Sequence, residues 1–479
     1  MYTEALGQFV AGEWRTSVKG GRCEPVYNPA NDEVLATLPH ADKSDIEDAL
    51  ESAAKGFEAW RRTSAWVRSG ILLRAADIIA ERKEALAQVL TLENGKPIAD
   101  ARGEIDRVTD TIRWCAEEAK RTYGRILPPR REGLMQATLK RPVGPVAGFA
   151  PWNFPAVLMV RKLAAALAAG CSIVMKPAEE CPAVCVGIVR AFADAGVPRG
   201  VINMLFGVPA EISEALIDSP VIRKVSFTGS VPVGKLLSRM AGERLKPVTM
   251  ELGGHSPVLV FNDSDVDAAA KTCATFKYRN AGQVCISPNR IFVQAASYER
   301  FLDRFVETAK SIRVGDGMDA QTQMGPLTNT RRLEAAENFV GNARAKGAEI
   351  RLGGNRIGNR GLFFEPTVLT DVSDDAEIMR EEPFVPVVPI LPFETVEDGL
   401  KKANAVPFGL AAYAFTRSTE NAIAVAEGFE AGWIGINDFT PALEDAPICG
   451  QKDSGLGCEG GPEGLDSYLH TRFVSQAPS

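Results

Sequence analysis

The sequence predicts an α/β protein with two wound parallel-sheet, Rossmann-like domains and a small β arm. The chain has 479 residues, more than one hydrophobic core usually supports. From residue 145 onward, short apolar runs alternate with helical patterns, which is typical of parallel sheets wound with helices. We therefore place the first domain in 1–122 and 142–252, the second in 253–445, and the arm in 123–141 and 465–479.

The N-terminal part is predicted to be helical. Ser44 and Glu47 form a possible capping box before a run of apolar residues at helical spacing. Two longer helical patterns follow at 67–93 and 98–122, with a Gly95 stop signal between them. The periodicity then fails, and two prolines intervene, so the next segment is expected to project as an arm. The weakly alternating tail is expected to pair with it.

Composition excludes several function classes. The net charge of −7 and the absence of any Lys/Arg-rich run argue against a nucleic-acid surface. The most apolar region, 142–169, is interrupted by charged residues and prolines, so no membrane span is expected. The N-terminus has no secretory pattern, and nine cysteines without a CxxC pair indicate reduced thiols in a cytoplasm.

Histidine is scarce in this chain. Only three histidines are present, which leaves little room for a histidine metal site or a Cys-His pair. We therefore expect no metal, and we expect carboxylates to do the acid–base work.

One cysteine stands out by its position. Cys285 follows the flexible run 280–284 and precedes an apolar β-branched segment, so it is predicted to lie between a helix and a strand. Its thiol is a potential nucleophile once deprotonated. Taken alone, it is better interpreted as a small buried hydrophobe. Its companion motifs favour the chemical role.

Six motifs occur in a fixed order around this cysteine. They read PWNFP at 151–155, KPAE at 176–179, FTGS at 227–230, ELGG at 251–254, EPF at 382–384 and SGLG at 454–457. In this order and spacing the chain resembles the NAD(P)-dependent aldehyde dehydrogenase superfamily, over nearly its whole length. Within it, the chain looks most like succinate-semialdehyde and α-ketoglutarate-semialdehyde dehydrogenases.

A phosphate site is predicted where a strand gives way to a helix, at Gly229, Ser230 and Gly234. Residues 229–235 also read GxxxxGK, but Leu236 stands where a P-loop needs Ser or Thr. A nucleoside triphosphatase is therefore the weaker interpretation. No GxGxxG fingerprint occurs, and the resemblance accounts for this because that family uses a variant Rossmann unit.

The resemblance also implies a set of cofactor contacts. Lys176 and Glu179 would hold the adenosine ribose, Glu382 would hold the nicotinamide ribose, and Trp152 and Phe384 would lie beside the cofactor. A carboxylate at Glu179 would repel a 2′-phosphate, which favours NAD over NADP. Outside this context, Lys176 and Glu179 would be interpreted as a surface ion pair.

The expected chemistry needs three groups. A Cys285 thiolate would form a thiohemiacetal that releases a hydride, and a base must then activate water against the thioester. Glu251, at a strand end before two glycines, is the candidate base. Asn153 would stabilise the oxyanion together with the Cys285 backbone N–H. A lone strand-end glutamate is more often structural.

Two arginines suggest the substrate. Arg161 lies on an otherwise apolar helical stretch, and Arg279 precedes Cys285 by six residues. Together they suit a small carboxylated aldehyde such as succinate semialdehyde. A structural ion pair is an equally good interpretation of Arg161. Ala442 stands where succinate-semialdehyde enzymes often have a serine, so α-ketoglutarate semialdehyde or an aromatic aldehyde stays open.

Two other function classes share part of this pattern. A thiol acyltransferase or hydrolase would use Cys285 and Glu251 but need no nucleotide motifs. A non-catalytic binding protein descended from such an enzyme would be expected to lack one of the three chemical residues, and all three are present. The arm suggests a homodimer or homotetramer by resemblance. The chain departs from the family pattern at Val385 and Cys449, each at a usual glycine position.

Overall fold

The computed structural model describes residues 5–16, 21–439 and 443–478. Its first part contains eleven strands: β1 (Gln8–Val10), β2 (Glu13–Arg15), β3 (Cys23–Tyr27), β4 (Val34–Pro39), β5 (Arg125–Leu127), β6 (Met135–Pro142), β7 (Val146–Phe149), β8 (Ile173–Lys176), β9 (Ile202–Met204), β10 (Lys224–Thr228) and β11 (Val248–Glu251). The helices of this part are α1 (Lys43–Trp60), α2 (Ala65–Glu81), α3 (Lys83–Asn94), α4 (Ile98–Glu118), α5 (Pro155–Ala169), α6 (Pro182–Asp194), α7 (Pro209–Asp218) and α8 (Val231–Glu243).

The second part continues the alternation. Its strands are β12 (Pro257–Val260), β13 (Arg290–Gln294), β14 (Glu349–Leu352), β15 (Thr367–Thr370), β16 (Val387–Phe393), β17 (Phe408–Gly409), β18 (Ala411–Phe415), β19 (Trp433–Ile436), β20 (Gln451–Lys452), β21 (Gly455–Leu456) and β22 (Leu469–Gln476). Its helices are α9 (Val266–Lys277), α10 (Tyr298–Lys310), α11 (Thr330–Ala345), α12 (Glu377–Arg380), α13 (Val396–Ala403), α14 (Thr419–Gly428) and α15 (Gly461–Asp466).

Two large sheets confirm the predicted α/β architecture. The first has eight strands in the order β2-β1-β9-β8-β7-β10-β11-β21. Its five central strands, in the order β9-β8-β7-β10-β11, pair in parallel. The second has seven strands in the order β14-β15-β16-β13-β12-β18-β19, parallel from β15 to β19. Helices cover both sheets, and their apolar faces form the buried cores.

A short connection between the two sheets brings the ends of the strands in one sheet close to the beginnings of the strands in the other. We call the edge where parallel strands end the carboxyl edge, and the edge where they begin the amino edge. Residues 252–256 link the end of β11 to the start of β12. A link this short spans at most roughly 20 Å. The carboxyl edge of the first sheet therefore lies close to the amino edge of the second.

The helical segment differs from prediction at two points. The cap of α1 is Asp42, whose side chain accepts from the Asp45 backbone N–H while Asp45 bonds back, so the predicted box at Ser44 was wrong by two residues. The long pattern at 67–93 is also broken, at Arg82 between α2 and α3. Gly95 ends α3 with a φ of 90°, as expected of a helix stop.

The arm and the tail form a third sheet, in the order β22-β6-β5. Strand β22 pairs antiparallel with β6 along its whole length, from Leu469 opposite Pro142 to Gln476 opposite Met135. The predicted pairing of tail and arm is therefore confirmed. In the described residues, no helix combines the length and apolarity that a membrane crossing requires.

One disulfide contradicts the expectation that all cysteines are reduced thiols. Cys449 and Cys458 are bonded across a Cα–Cα distance of 4.3 Å. The residues flanking this cystine, Ile448 and Glu459, form an antiparallel bridge with backbone hydrogen bonds of 2.7 and 2.9 Å. That bridge brings the two sulfurs together. The sequence offered no local signal for it, because the expectation rested on the absence of CxxC spacing.

Candidate active site

The candidate nucleophile lies on the loop between α9 and β13, as predicted. The loop is stiffened by its own polar groups: Gln283 Nε2 donates to the Asn280 carbonyl at 2.9 Å, and Gln283 Oε1 accepts from the Thr328 backbone N–H at 3.0 Å. Asn280 and Ala281 adopt positive φ angles of 48° and 54°. The half-buried Cys285 is thereby held at the amino edge of the second sheet.

Two glycines allow this loop to approach the first sheet. A Cβ built on Gly254 would lie 2.6 Å from the Cys285 carbonyl oxygen, and one on Gly253 would lie 2.3 Å from a carboxylate oxygen of Glu382. A side chain at Gly254 would displace the backbone of Cys285, whereas one at Gly253 would displace the end of the flexible Glu382 side chain. The Gly254 backbone N–H also donates to Glu382 Oε1 at 2.9 Å. The ELGG motif thus fixes both Cys285 and Glu382 beside the end of β11.

Asn153 is held by a buried ion pair. Lys96 Nζ bonds Glu104 at 2.6 Å and donates to the Asn153 carbonyl at 2.8 Å, and all three side chains are buried. Glu104 also accepts from the first backbone N–H groups of α5, where a negative charge suits the helix dipole. Asn153 Nδ2 donates to the Gln283 carbonyl at 3.1 Å, which leaves its second N–H for another acceptor.

Glu251 ends β11 in a buried position beside a second carboxyl, that of Glu459. Burial, and then the charge of Glu459, raises the pKa of Glu251 to about 8. Glu459 itself is ion-paired with buried Lys162, whose Nζ also donates to Thr228 Oγ1 at 2.6 Å. Burial alone would raise the pKa of Glu459, but the charges of Lys162 and Arg161 and hydrogen bonds with Glu251 and Lys162 together lower that pKa below its ordinary value. The two carboxyls therefore differ in their protonation.

The Cys285 thiol is a weak acid in this environment. Burial, followed by the neighbouring carboxylates of Glu251 and Glu382, raises its pKa well above the ordinary value. Burial likewise raises the pKa of Glu382 to about 7. Chemistry at the sulfur therefore needs a nearby group that removes the proton, since a thiolate is the reactive form.

A cleft of about 360 Å³ opens on one side of Cys285. Eight of the predicted site residues line it together: Trp152, Asn153, Gly229, Ser230, Glu251, Cys285, Glu382 and Phe384. Trp152 and Phe384 meet edge to face, with ring centroids 5.6 Å apart. The cleft lies between β7 and β10, where the strand order of the first sheet reverses and nucleotides commonly bind.

The helix terminus at this cleft suits a pyrophosphate. Helix α8 begins after Ser230, which is exposed, lines the cleft and makes no side-chain cap bond, so no side chain of this residue occupies the N-terminus of the helix. The Gly229 N–H donates instead to the Glu251 carbonyl at 3.1 Å, unlike a P-loop amide aimed at phosphate. Gly234 does not line the cleft, and it lets α8 pack against Leu252.

Lys176 and Glu179 lie outside the lining of this cleft. They form an ion pair whose side chains are mostly buried, so the surface-pair interpretation is wrong. Glu179 lines a neighbouring cavity of about 700 Å³, which shares Asn329 and Arg331 with the cleft. Lys176 lines neither cavity. The two cavities adjoin, and the exposed start of α8, the aromatic pair and the carboxylates of Glu382 and Glu179 fit a dinucleotide.

A second, smaller cavity of about 70 Å³ reaches Cys285 from the other side. We call it the arginine pocket, because its apolar walls, including Phe154, Val284 and Ile448, carry three guanidinium groups. Two are the predicted Arg161 and Arg279, and the third is Arg107. Cys285 and Glu251 line both this pocket and the cleft. A small substrate and a dinucleotide could thus meet at one sulfur.

Sequence reasoning missed several groups of this site. Lys162 and Glu459 lie 297 positions apart, so no spacing links them. Arg107 looks like an ordinary charge on an amphipathic helix, and only the fold turns it inward. Arg332, whose charge faces Glu382, lines the cleft. The one available signal was Lys162 itself, a lysine inside the apolar run of α5. Ala442 lies outside the described residues.

The two wound sheets, with a thiol where two cavities meet, place the protein among the α/β oxidoreductases. The sequence profile of the Aldehyde dehydrogenase family matches residues 14–474, and the chain belongs to that family, whose members oxidise aldehydes with NAD(P).

Its relatives act on different aldehydes or related compounds. The chain is 45% identical to 4-(hydroxymethyl)benzenesulfonate dehydrogenase TsaD1 of Comamonas testosteroni, covering 97% of each chain. It is 40% identical to 3-sulfolactaldehyde dehydrogenase of Pseudomonas putida, covering 97% of this chain and 96% of the relative. The crystal structure of succinate-semialdehyde dehydrogenase from Burkholderia pseudomallei superposes with a TM-score of 0.96 at 39% identity, covering 99% and 98%. The substrate of this protein therefore does not follow from sequence similarity to these relatives.

Proposed function

We propose that the protein oxidises a small aldehyde with an anionic group at its far end to the corresponding acid, with NAD as the hydride acceptor. A carboxylated semialdehyde such as succinate semialdehyde is the substrate that the sequence predicts. The observation that carries this proposal is the arginine pocket, where an apolar passage joins Cys285 to three guanidinium groups. Apolar walls suit the carbon chain, and guanidinium groups suit the anion.

Cys285 is proposed as the nucleophile. Its sulfur adds to the aldehyde carbon, and the thiol proton passes to a base, so a thiohemiacetal forms. Bound NAD supplies the hydride acceptor, and the thiohemiacetal becomes a thioester on the sulfur. The raised pKa of the thiol argues that its proton leaves only with the help of a base, and Glu251, which lines the same two cavities, is proposed as that base.

Glu251 is also proposed as the base that activates water against the thioester. Its place at the end of β11, in the lining of both cavities that contain Cys285, supports this role. The ordered Lys162–Glu459 pair behind it stabilises the position of this carboxyl without itself lining the cavities. Hydrolysis releases the acid and restores the Cys285 thiol.

Asn153 is proposed to donate to the oxyanion, together with the Cys285 backbone N–H. One N–H of its amide is already bonded to the Gln283 carbonyl, which orients the other. The Lys96–Glu104 pair supports this by fixing the Asn153 backbone. Preorganised donors of this kind contribute a large share of catalysis.

For the cofactor, Trp152, Gly229, Ser230, Glu382 and Phe384 are proposed to hold the pyrophosphate and nicotinamide half. Lys176 and Glu179 are proposed to hold the adenosine ribose, with Gly234 as the packing glycine beneath the helix terminus. The acidic Glu179 supports NAD over NADP. We expect kcat/KM to be higher with NAD, and Glu179→Gln to narrow that preference.

The anion end is proposed to bind Arg161 and Arg279. Arg279 also lies over the Phe154 ring, 5.4 Å from its centroid, which keeps its guanidinium at the pocket wall. NADH absorbance tests the proposal directly, with succinate semialdehyde compared with the neutral butanal. Arg161→Gln should raise KM for the anionic aldehyde about tenfold or more and leave butanal nearly unchanged.

Two outcomes would defeat the proposed function. Turnover that survives Cys285→Ala would remove the thiol mechanism, and Cys23→Ala, at an exposed free cysteine, is the matched control. Wild-type protein that prefers butanal to every anionic aldehyde would remove the anion site while leaving an aldehyde dehydrogenase.

The domain roles follow from this proposal. We assign dinucleotide binding to 1–122 and 142–252, the thiol to 253–445, and subunit contact to 123–141 and 465–479. Exposed Ile126 and Phe473 on the three-stranded sheet support a homodimer or homotetramer. Sedimentation of Ile126→Asp should then show smaller particles than the wild type.

A further inference from the structure

Arg107 adds a third guanidinium group to the arginine pocket. It lies on α4, whereas Arg161 lies on α5 and Arg279 lies just after α9, so the three reach the pocket from separate elements. Burial, followed by the charge of Arg279, lowers the pKa of Arg107 from its ordinary value. Arg107 and Arg279 bring like charges to one apolar passage, which is unfavourable unless an anion joins them.

The protein supplies little counter-charge at this point. In the described part of the chain, Arg107 and Arg279 form no salt bridge or hydrogen bond. The carboxylates whose charges reach Arg107 are those of Glu104, already bonded to Lys96, and Glu444. Glu444 also faces Arg161. Glu251 also lines the pocket, but burial and the charge of Glu459 raise its pKa, so Arg107 and Arg279 are left without a bonded carboxylate among the described residues.

The number and direction of these donors select a head group. A carboxylate is planar and has two oxygens, so one bidentate guanidinium and one further donor satisfy it. A tetrahedral oxoanion has three terminal oxygens that point in three directions. Three guanidinium groups from three helical elements match the second geometry better than the first.

We infer that Arg107 is a specificity-determining residue that makes the pocket prefer a sulfonated aldehyde over a carboxylated aldehyde of the same length. This inference rests on the proposed function, because it concerns the far end of the same substrate. The reaction at Cys285 is unchanged. Only the head group held by Arg107, Arg161 and Arg279 differs.

The test compares aldehydes that differ only in the head group. Succinate semialdehyde and 3-sulfopropanal share a two-carbon link between aldehyde and anion, 3-phosphonopropanal adds a tetrahedral anion with more charge, and butanal is neutral. NADH formation gives kcat and KM for each. The wild type should show a higher kcat/KM for 3-sulfopropanal than for succinate semialdehyde. The phosphonate should not exceed the sulfonate if shape rather than charge selects.

The decisive variant is Arg107→Gln. It should raise KM for 3-sulfopropanal about tenfold and raise KM for succinate semialdehyde much less, so the ratio of the two kcat/KM values falls. The circular dichroism spectrum and the midpoint of thermal unfolding should match those of the wild type, which shows that the variant is folded. Arg107→Lys keeps the positive charge but lacks the planar, bidentate guanidinium group. It should therefore retain only part of the wild-type ratio of kcat/KM for sulfonate over carboxylate. Arg113→Gln, on the exposed face of the same helix, is the matched control.

The outcomes separate this inference from the proposed function. If the sulfonate-to-carboxylate ratio is the same in Arg107→Gln and wild type, or if the wild type prefers the carboxylate, the inference is wrong and the proposed function stands. A phosphonate preference above the sulfonate would also overturn it, since charge would then be the selector. If all anionic aldehydes are poorer than butanal, the proposed function fails first.

Discussion

The two sheets contribute to the active site from opposite ends. From the first sheet, Asn153 and Ser230 follow the carboxyl ends of β7 and β10, and Glu251 is the last residue of β11. From the second, Cys285 and Glu382 lie on loops that enter the amino ends of β13 and β16. The first set obeys the rule that ligands bind at the carboxyl ends of wound strands. The second set does not.

The difference shows that connectivity, not only sheet type, places a site. The link 252–256 is short, so the end of β11 and the start of β12 must be neighbours. Strand β13 runs parallel to β12, with Arg290 opposite Pro257, and the loop before β13 therefore reaches the same edge. A search restricted to carboxyl ends would find the nucleotide side and miss the thiol.

The largest expected effect on rate comes from a substitution at the carboxyl edge of the first sheet. Glu251→Gln keeps the carboxyl-edge geometry but removes the proposed base, so thioester hydrolysis should fall by about 10²–10⁴-fold. After rapid mixing of this variant with NAD and substrate, a burst of one NADH per site should appear only if a group other than residue 251 removes the thiol proton. Full steady turnover in Glu251→Gln would contradict the assignment. Glu427→Gln, on the exposed face of α14, is the control.

A second substitution tests the junction itself. Gly254→Ala would place a methyl group against the Cys285 backbone and displace the thiol loop, so kcat should fall about 10²-fold. Dinucleotide binding at the carboxyl edge should change much less, which fluorescence titration with NADH would show. Gly242→Ala, where an added methyl meets nothing within 4 Å, should behave as wild type. Equal behaviour of the two variants would mean that the junction tolerates movement.

The pH profile sharpens the role of the carboxyl pair. The pKa of Glu251 is raised to about 8, and the carboxylate is the form that accepts a proton. Hydrolysis should therefore rise about tenfold per pH unit below 8 and level off above it. Glu459→Gln removes a neighbouring negative charge, so the pKa of Glu251 should fall and the rise should move to lower pH by about one unit. An unmoved profile would show that Glu459 does not act on Glu251.

The smallest effect on rate is expected at the cystine. Cys449→Ser with Cys458→Ser should lower the midpoint of thermal unfolding, in line with the roughly 2–4 kcal/mol that such a bond contributes. Because Ile448 lines the arginine pocket and Glu459 adjoins Glu251, kcat should also drop, within about threefold. Thiol titration of the wild type before and after reduction should differ by two thiols per chain. No difference would mean that the bond is absent in solution.

Much of this site could be predicted from the sequence, and the reason is local. Glu251 before two glycines and Cys285 after a flexible run are each readable within a few residues. Lys162–Glu459 and Cys449–Cys458 could not be predicted, because each depends on a contact that only the folded chain makes. Arg107 is the plainest case. Its helix has an ordinary amphipathic pattern, and what it faces is decided by α5 and the loop after α9.

Cys285 and Glu251 line two cavities that open on different sides. A molecule lodged in the arginine pocket leaves the opening of the cleft clear, and the reverse also holds. An inhibitor shaped for either cavity should therefore lower the maximal rate seen with the other ligand rather than compete with that ligand. Two inhibitors, one for each opening, should be able to occupy a single subunit together.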